Sequence, residues 1–145
     1  MTETETFDPF AGRSTSNIKQ DSPRYPFIEK AGTHYFEILS TDGFQNHDNE
    51  NIFKALLEVL ESDVYPTGEI LTYMTVDRGG KTTKFYDKNL LNFGIATLAG
   101  GEYENLDHNT FGKDLLSPDM EGNRVKCITV PKKDPKYMNF SWIAD

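Results

Sequence analysis

Aromatic side chains set among cations are the pattern in this sequence best suited to chemistry. Tyr35, Tyr73 and Tyr137 fall in alternating runs where each is expected to point outward, and Phe85 and Tyr86 follow a basic turn holding Arg78, Lys81 and Lys84. A second basic run carries Arg124, Lys126 and Lys132. Lysine and arginine can track a line of phosphates while flat rings stack on bases, a contact worth roughly 1–3 kcal/mol per base and indifferent to base identity. The competing explanation is packing, because most aromatics of a small β-domain belong to its core or cover. Trp142 is read that way, as a packing anchor.

Other chemistries find no footing. His34, His47 and His108 lie in separate segments with no HxH or HxxxH spacing, so no metal set emerges from them. The stretch DGFQNHDNE lacks the acid, glycine and terminal-glutamate spacing of a calcium loop. DRGGK is not a phosphate-binding GxxxxGK[ST], and there is no GxSxG elbow. No carboxylate pair has a spacing that implies acid–base work. Cys127 is the one cysteine, which excludes an internal disulfide and a cysteine-based zinc site. The expectation is a non-enzymatic protein with no cofactor. It is expected in a reducing cytoplasm, the host's if the protein is viral. MTETETFDPF has no apolar core of a signal peptide, and no apolar run nears the ~20 residues of a membrane span.

Charge is segregated. The formal net charge is −8, which argues against wholesale neutralisation of duplex DNA. Yet Arg78–Lys88 has four cations against Asp87, and Arg124–Lys136 has five against Asp134. Between Asp42 and Glu69, seven acids face only Lys54. One basic face on an otherwise acidic body is consistent with that distribution.

The elements that must position these residues follow from periodicity. Residues 1–26 read as an extended, flexible N-terminal arm: polar, interrupted by Pro9, Pro23 and Pro26, and carrying Phe7 and Phe10 in an FDPF motif that could dock on a neighbour. Residues 27–145 read as one domain. A first strand, about Thr33–Ser40, sets Phe36 and Ile38 on one face against Tyr35, Glu37 and Leu39. In the second, Phe53, Ala55, Leu57 and Val59 form an apolar face with Lys54 and Glu58 opposite. A helix over IFKALLEVLES competes on propensity, but the clean period of two favours strand. The third strand, Glu69–Val76, is expected to point Ile70, Met74 and Val76 inward and Leu71 and Tyr73 outward. A helix from about Lys88 to Ala99, capped by Asp87, follows. The span 101–122 reads as an acidic loop insertion. Strands at about Arg124–Val130 and Tyr137–Ile143 complete the chain.

Three strands, a short helix and two strands predict a mainly β fold, a five-stranded OB-like barrel with the helix between strands three and four. The runs GTHYFEIL, IFKALLEVLES and ILTYMTV, with KFYDKNLLNF after them, resemble the pattern of bacteriophage OB-fold single-stranded DNA-binding proteins. That resemblance covers about the middle half of the chain. It implies sequence-independent binding of single-stranded DNA in phage replication or recombination, with replication proteins as candidate partners and self-association through the arm. The chain departs from the pattern at its FSWIAD end, which carries one acid where such proteins often have an acidic tail. The rival reading is a structural or assembly protein of a virus particle. A carbohydrate-binding β-domain would need exposed aromatics without a basic rim.

Overall fold

The computed structural model describes residues 24–132 and 138–145. Its elements are β1 (Gly32–Gln45), β2 (Asn51–Ser62), β3 (Ile70–Asp77), α1 (Lys81–Leu98), α2 (Phe111–Leu115), β4 (Arg124–Pro131) and β5 (Met138–Ala144). The strands form one antiparallel sheet in the order β3-β2-β1-β4-β5. β2 is a strand, with Phe53, Ala55, Leu57 and Val59 all buried on one face as its alternation requires. Phe36 and Ile38 of β1 are wholly buried on the same side.

The facing of β3 reverses the expectation from the sequence. Leu71 and Tyr73 are buried, whereas Met74 is 38% exposed. Register explains the reversal: Leu71 lies opposite Leu57, Tyr73 opposite Ala55 and Thr75 opposite Phe53. Directly paired residues share a face, so β3 must turn the same parity inward as β2. The small Ala55 leaves room for the Tyr73 ring across from it.

The sheet is strongly coiled. β3 and β5 sit at opposite edges, four strand spacings or roughly 19 Å apart if the sheet were flat. Nevertheless the Tyr73 ring lies 4.8 Å from the Trp142 ring and 5.1 Å from Phe140, centroid to centroid. Phe93 of α1 joins them, 5.8 Å from Tyr73 and 4.9 Å from Trp142. Trp142 is thus the packing anchor expected of it. Among the described residues no β3–β5 ladder closes the sheet into a barrel, and at Thr72 the β3 edge is paired with the segment before β1 instead. Thr72 donates its backbone N–H to Pro26 O at 2.8 Å and its hydroxyl to Tyr25 O at 2.9 Å. The strap formed by residues 25–28 also buries Ile28 in the core. Tyr25 and Pro26, expected in the flexible arm, are therefore bonded to the sheet. Phe7, Phe10 and the rest of that arm lie outside the described residues.

α1 begins seven residues earlier than expected, so Asp87 lies within it and caps nothing. Gly79 and Gly80, both at positive φ, turn the chain out of β3. The Asp77 carboxylate accepts the Gly79 N–H and the Thr83 hydroxyl, bonds that hold it below the usual carboxylate range and fix the helix start. The acidic span 101–122 contains α2 and two 3₁₀ turns, Tyr103–Asn105 and Pro118–Met120. Leu106, Leu115 and Met120 tie it to the domain through their burial. No helix among the described residues is long and apolar enough to cross a membrane.

Candidate nucleic-acid interface

The residues picked out by sequence do not converge on one surface. Tyr73 is 3% exposed inside the aromatic cluster, and burial raises its phenol well above the ordinary range, so it offers no face for stacking. Tyr137 lies outside the described residues. The two basic runs also fail to form one band. β3 and β4 run in opposite directions, so Arg78 and Lys81 follow one end of the sheet while Lys132 follows the other. In register, Asp77 aligns through Asn51 with Gln45, and Thr129 aligns with Gly32. Those levels are separated by roughly 40 Å measured along β1.

Tyr35, Arg124 and Lys126 do come together, on the outer face of β1 and β4. Lys126 pairs across the strands with Tyr35, and Arg124 Nε lies 3.6 Å from Glu37. Tyr35 donates its hydroxyl to the Asp145 carboxylate, and that bond, which holds the proton on the phenol, raises its pKa. The concavity here measures about 520 Å³, and Glu61, Asp63 and Asp145 line it against Lys126 alone. Three carboxylates to one ammonium repel a phosphate.

Behind this concavity His34 is held in one protonation state. Ser62 Oγ accepts the backbone N–H of Val64 and of Tyr65, leaving its own proton for His34 Nδ1 at 2.7 Å. Thr129 donates its hydroxyl to Lys30 O at 2.7 Å and accepts from His34 Nε2 at 2.8 Å. The ring is therefore neutral with its proton on Nε2. Burial lowers its pKa, against smaller opposing effects of Lys30 O and Asp63.

A better-suited surface lies on the outer face of β2 and β3, at the end near the β1–β2 hairpin. The same parity that buries Tyr73 presents Met74 outward, opposite Lys54. Phe44 of β1 occupies the neighbouring row, and the strap brings Arg24, Tyr25 and Phe27 to the rim. The resulting groove measures about 420 Å³. Its lining holds three aromatic rings and two cations and no carboxylate. Phe27 and Phe44 are 48% and 42% exposed, a clustering of large apolar groups that marks a binding surface. Phe44 also borders a smaller hollow of about 300 Å³ with Ile52 and Tyr86. Tyr86 is thereby the one residue of the sequence-derived set that lines this hollow, while Arg78 stands at the same end of the sheet with its Nε 3.5 Å from Glu50. Lys81, Lys84 and the 64%-exposed Phe85 project from α1 elsewhere.

Sequence reasoning missed Arg24, Tyr25, Phe27, Phe44, Lys54 and Met74. The cluster RYPF preceding β1 was the available signal, an aromatic and cationic run whose first three residues, Arg24, Tyr25 and Pro26, were assigned to the arm. Among the described residues no group of three or more His, Cys, Asp or Glu side chains is placed to hold a metal ion. Compared with known protein families and with curated proteins, the chain matches none.

Proposed function

We propose that this protein binds single-stranded DNA without sequence preference, as a non-enzymatic strand-holding component of replication or recombination. The observation that carries the reading is the groove of Arg24, Tyr25, Phe27, Phe44, Lys54 and Met74, aromatic and cationic with no acid in its lining. Rings there can stack on bases while Lys54 and Arg24 meet phosphates. The same reading takes the coiled sheet as an OB-type barrel left open at one seam. β1 flanked by β2 and β4, α1 between β3 and β4, and β3 curled towards β5 match that connectivity. OB barrels bind oligonucleotides on the face of strands two and three and at the loop between strands one and two, where this groove lies. The rival assembly role draws on the FDPF motif, which lies outside the described residues and contributes no observation.

Fluorescence anisotropy with a labelled single-stranded oligonucleotide tests the proposal. Phe44→Ala is expected to weaken binding by roughly 1–3 kcal/mol with an unchanged salt dependence. Lys54→Ala is expected to shallow the log–log salt slope by about 0.7, one phosphate's share. Lys126→Ala, in the acidic concavity, is expected to change neither. No binding at low salt, or full affinity in Phe44→Ala, would sink the assignment.

A further inference from the structure

α1 carries a second surface that the groove does not use. Tyr86, Leu90 and Phe93 pack towards the core, and Asn89 donates to Thr75 Oγ1 of β3 at 3.0 Å. Lys81, Lys84, Phe85 and Lys88 recur at spacings of three and four on the opposite face of the helix, all exposed. At 64% exposure, Phe85 is an apolar anchor ringed by three ammonium groups. Asp87 is the one acid in that half of the helix. The side of α1 that approaches the groove region, through Tyr86, is turned away from this stripe. A strand lying in the groove therefore does not run along it.

The complementary surface is on the same molecule, at the other end of the helix. The segment 101–122 holds six acids against Lys113, and Glu102, Glu104, Asp107, Asp119 and Glu121 are all exposed. Set among them are Tyr103 and Leu116, 52% and 45% exposed. α1 has 18 residues, so its basic start and Glu102, Glu104 and Asp107 just past its end are roughly 27 Å apart along the axis, while Leu116 lies back along the domain against Gly43. That separation keeps one copy from satisfying both patches against each other.

We infer that the partner of the α1 stripe is the acidic lobe of a second copy of this chain. Molecules of net charge −8 repel one another at long range, so association requires opposite patches to meet. A basic stripe centred on an exposed phenylalanine and an acidic lobe displaying a tyrosine and a leucine supply both charge and apolar complementarity. Two copies with their α1 helices antiparallel satisfy both patches at once, which makes the two-fold pair the smallest closed assembly. The inference does not depend on nucleic-acid binding.

Sedimentation of the full chain over a concentration series, with charge-reversed variants, tests it. One variant combines Lys81→Glu, Lys84→Glu and Lys88→Glu; the other combines Glu102→Lys, Glu104→Lys and Asp107→Lys. All six positions are exposed, and acids suit the first turn of a helix, so thermal melts should confirm that both variants fold. Each alone is expected to self-associate at least ~10-fold more weakly than the natural chain, and an equimolar mixture is expected to recover most of the loss. Phe85→Ala is expected to weaken association with the charges intact. The inference is overturned by a natural chain that stays monomeric throughout, or by a mixture that fails to recover. It is also overturned if the lysine variant sediments normally while losing affinity for a single-stranded oligonucleotide, because the stripe would then serve nucleic acid.

Discussion

At the scale of single residues, His34 couples the fold to pH. Its burial between Ser62 and Thr129 favours the neutral ring, so its folded pKa lies below the 6.5 of a free histidine. A depressed pKa stabilises the fold fully above about pH 6.5, and that contribution is lost as pH falls through the folded value. Protonation would also set Nδ1–H against a Ser62 oxygen that already accepts two backbone N–H groups. Denaturant titrations are expected to show stability declining below about pH 6.5, and His34→Gln is expected to flatten that decline. An equally steep decline in the variant would place the effect on other groups. Tyr73 makes a different prediction. Its hydroxyl and the Trp142 indole N–H are buried without a hydrogen-bond partner among the described residues. Tyr73→Phe removes an unsatisfied polar atom, and its melting free energy is expected within about 1 kcal/mol of the natural chain or above it. Tyr73→Ala empties the space between Phe93, Phe140 and Trp142 and is expected to cost about 3–5 kcal/mol. A Phe variant as damaging as the Ala variant would mean the hydroxyl has a partner.

At the scale of elements, legibility followed how different the two faces of a segment are. β2 was readable because Phe53, Ala55, Leu57 and Val59 make one parity wholly apolar while Lys54 and Glu58 fall on the other. β3 has Ile70, Met74 and Val76 on one parity and Leu71 and Tyr73 on the other, so hydrophobicity alone cannot choose between them. Pairing with β2 chose, and the groove went with the choice. The start of α1 was hidden because KTTK carries no apolar stripe. It became helix through the bonds of Asp77 and the Gly79–Gly80 turn. Gly94 gives a prediction that runs against propensity. Alanine stabilises an exposed helix interior by about 1 kcal/mol over glycine. A Cβ at Gly94, however, would collide with the Phe111 ring, which packs where the side chain is missing. Gly94→Ala is expected to lower the melting temperature, and adding Phe111→Leu is expected to restore part of the loss. Unaltered stability in Gly94→Ala would mean Phe111 moves aside at little cost.

At the scale of the whole molecule, the five strands along the chain and the helix between β3 and β4 were legible, whereas closure into a barrel and most of the candidate site were not. The groove joins residues from β1, β2, β3 and the strap, and neither the strap's pairing with β3 nor the outward facing of Met74 has a local signature. The strap also sets a whole-molecule dependence: Ile28 is 4% exposed, and the residues before it line the groove. Ile28→Ala is expected to cost about 2–5 kcal/mol of stability and to loosen the groove rim with it. Loss of stability with undiminished oligonucleotide affinity would show that the rim is held independently.

The pairing of β1 with β4 has a consequence in time. Hairpin contacts build β1, β2 and β3 from neighbours in sequence, but His34 meets Cys127 only after α1 and the acidic span have been traversed. Closing so long a loop is entropically slow, so the β4–β5 hairpin should dock last. Nature has placed a reporter at that seam. Cys127 is the sole thiol, fully buried on β4, and burial pushes it up to about 12, so the native protein should resist alkylation. During refolding the thiol remains open until β4 seats against β1. Pulses of a thiol reagent at increasing delays should therefore show Cys127 protection lagging the recovery of β-sheet circular dichroism. Simultaneous recovery would mean that the two halves of the sheet assemble in one step.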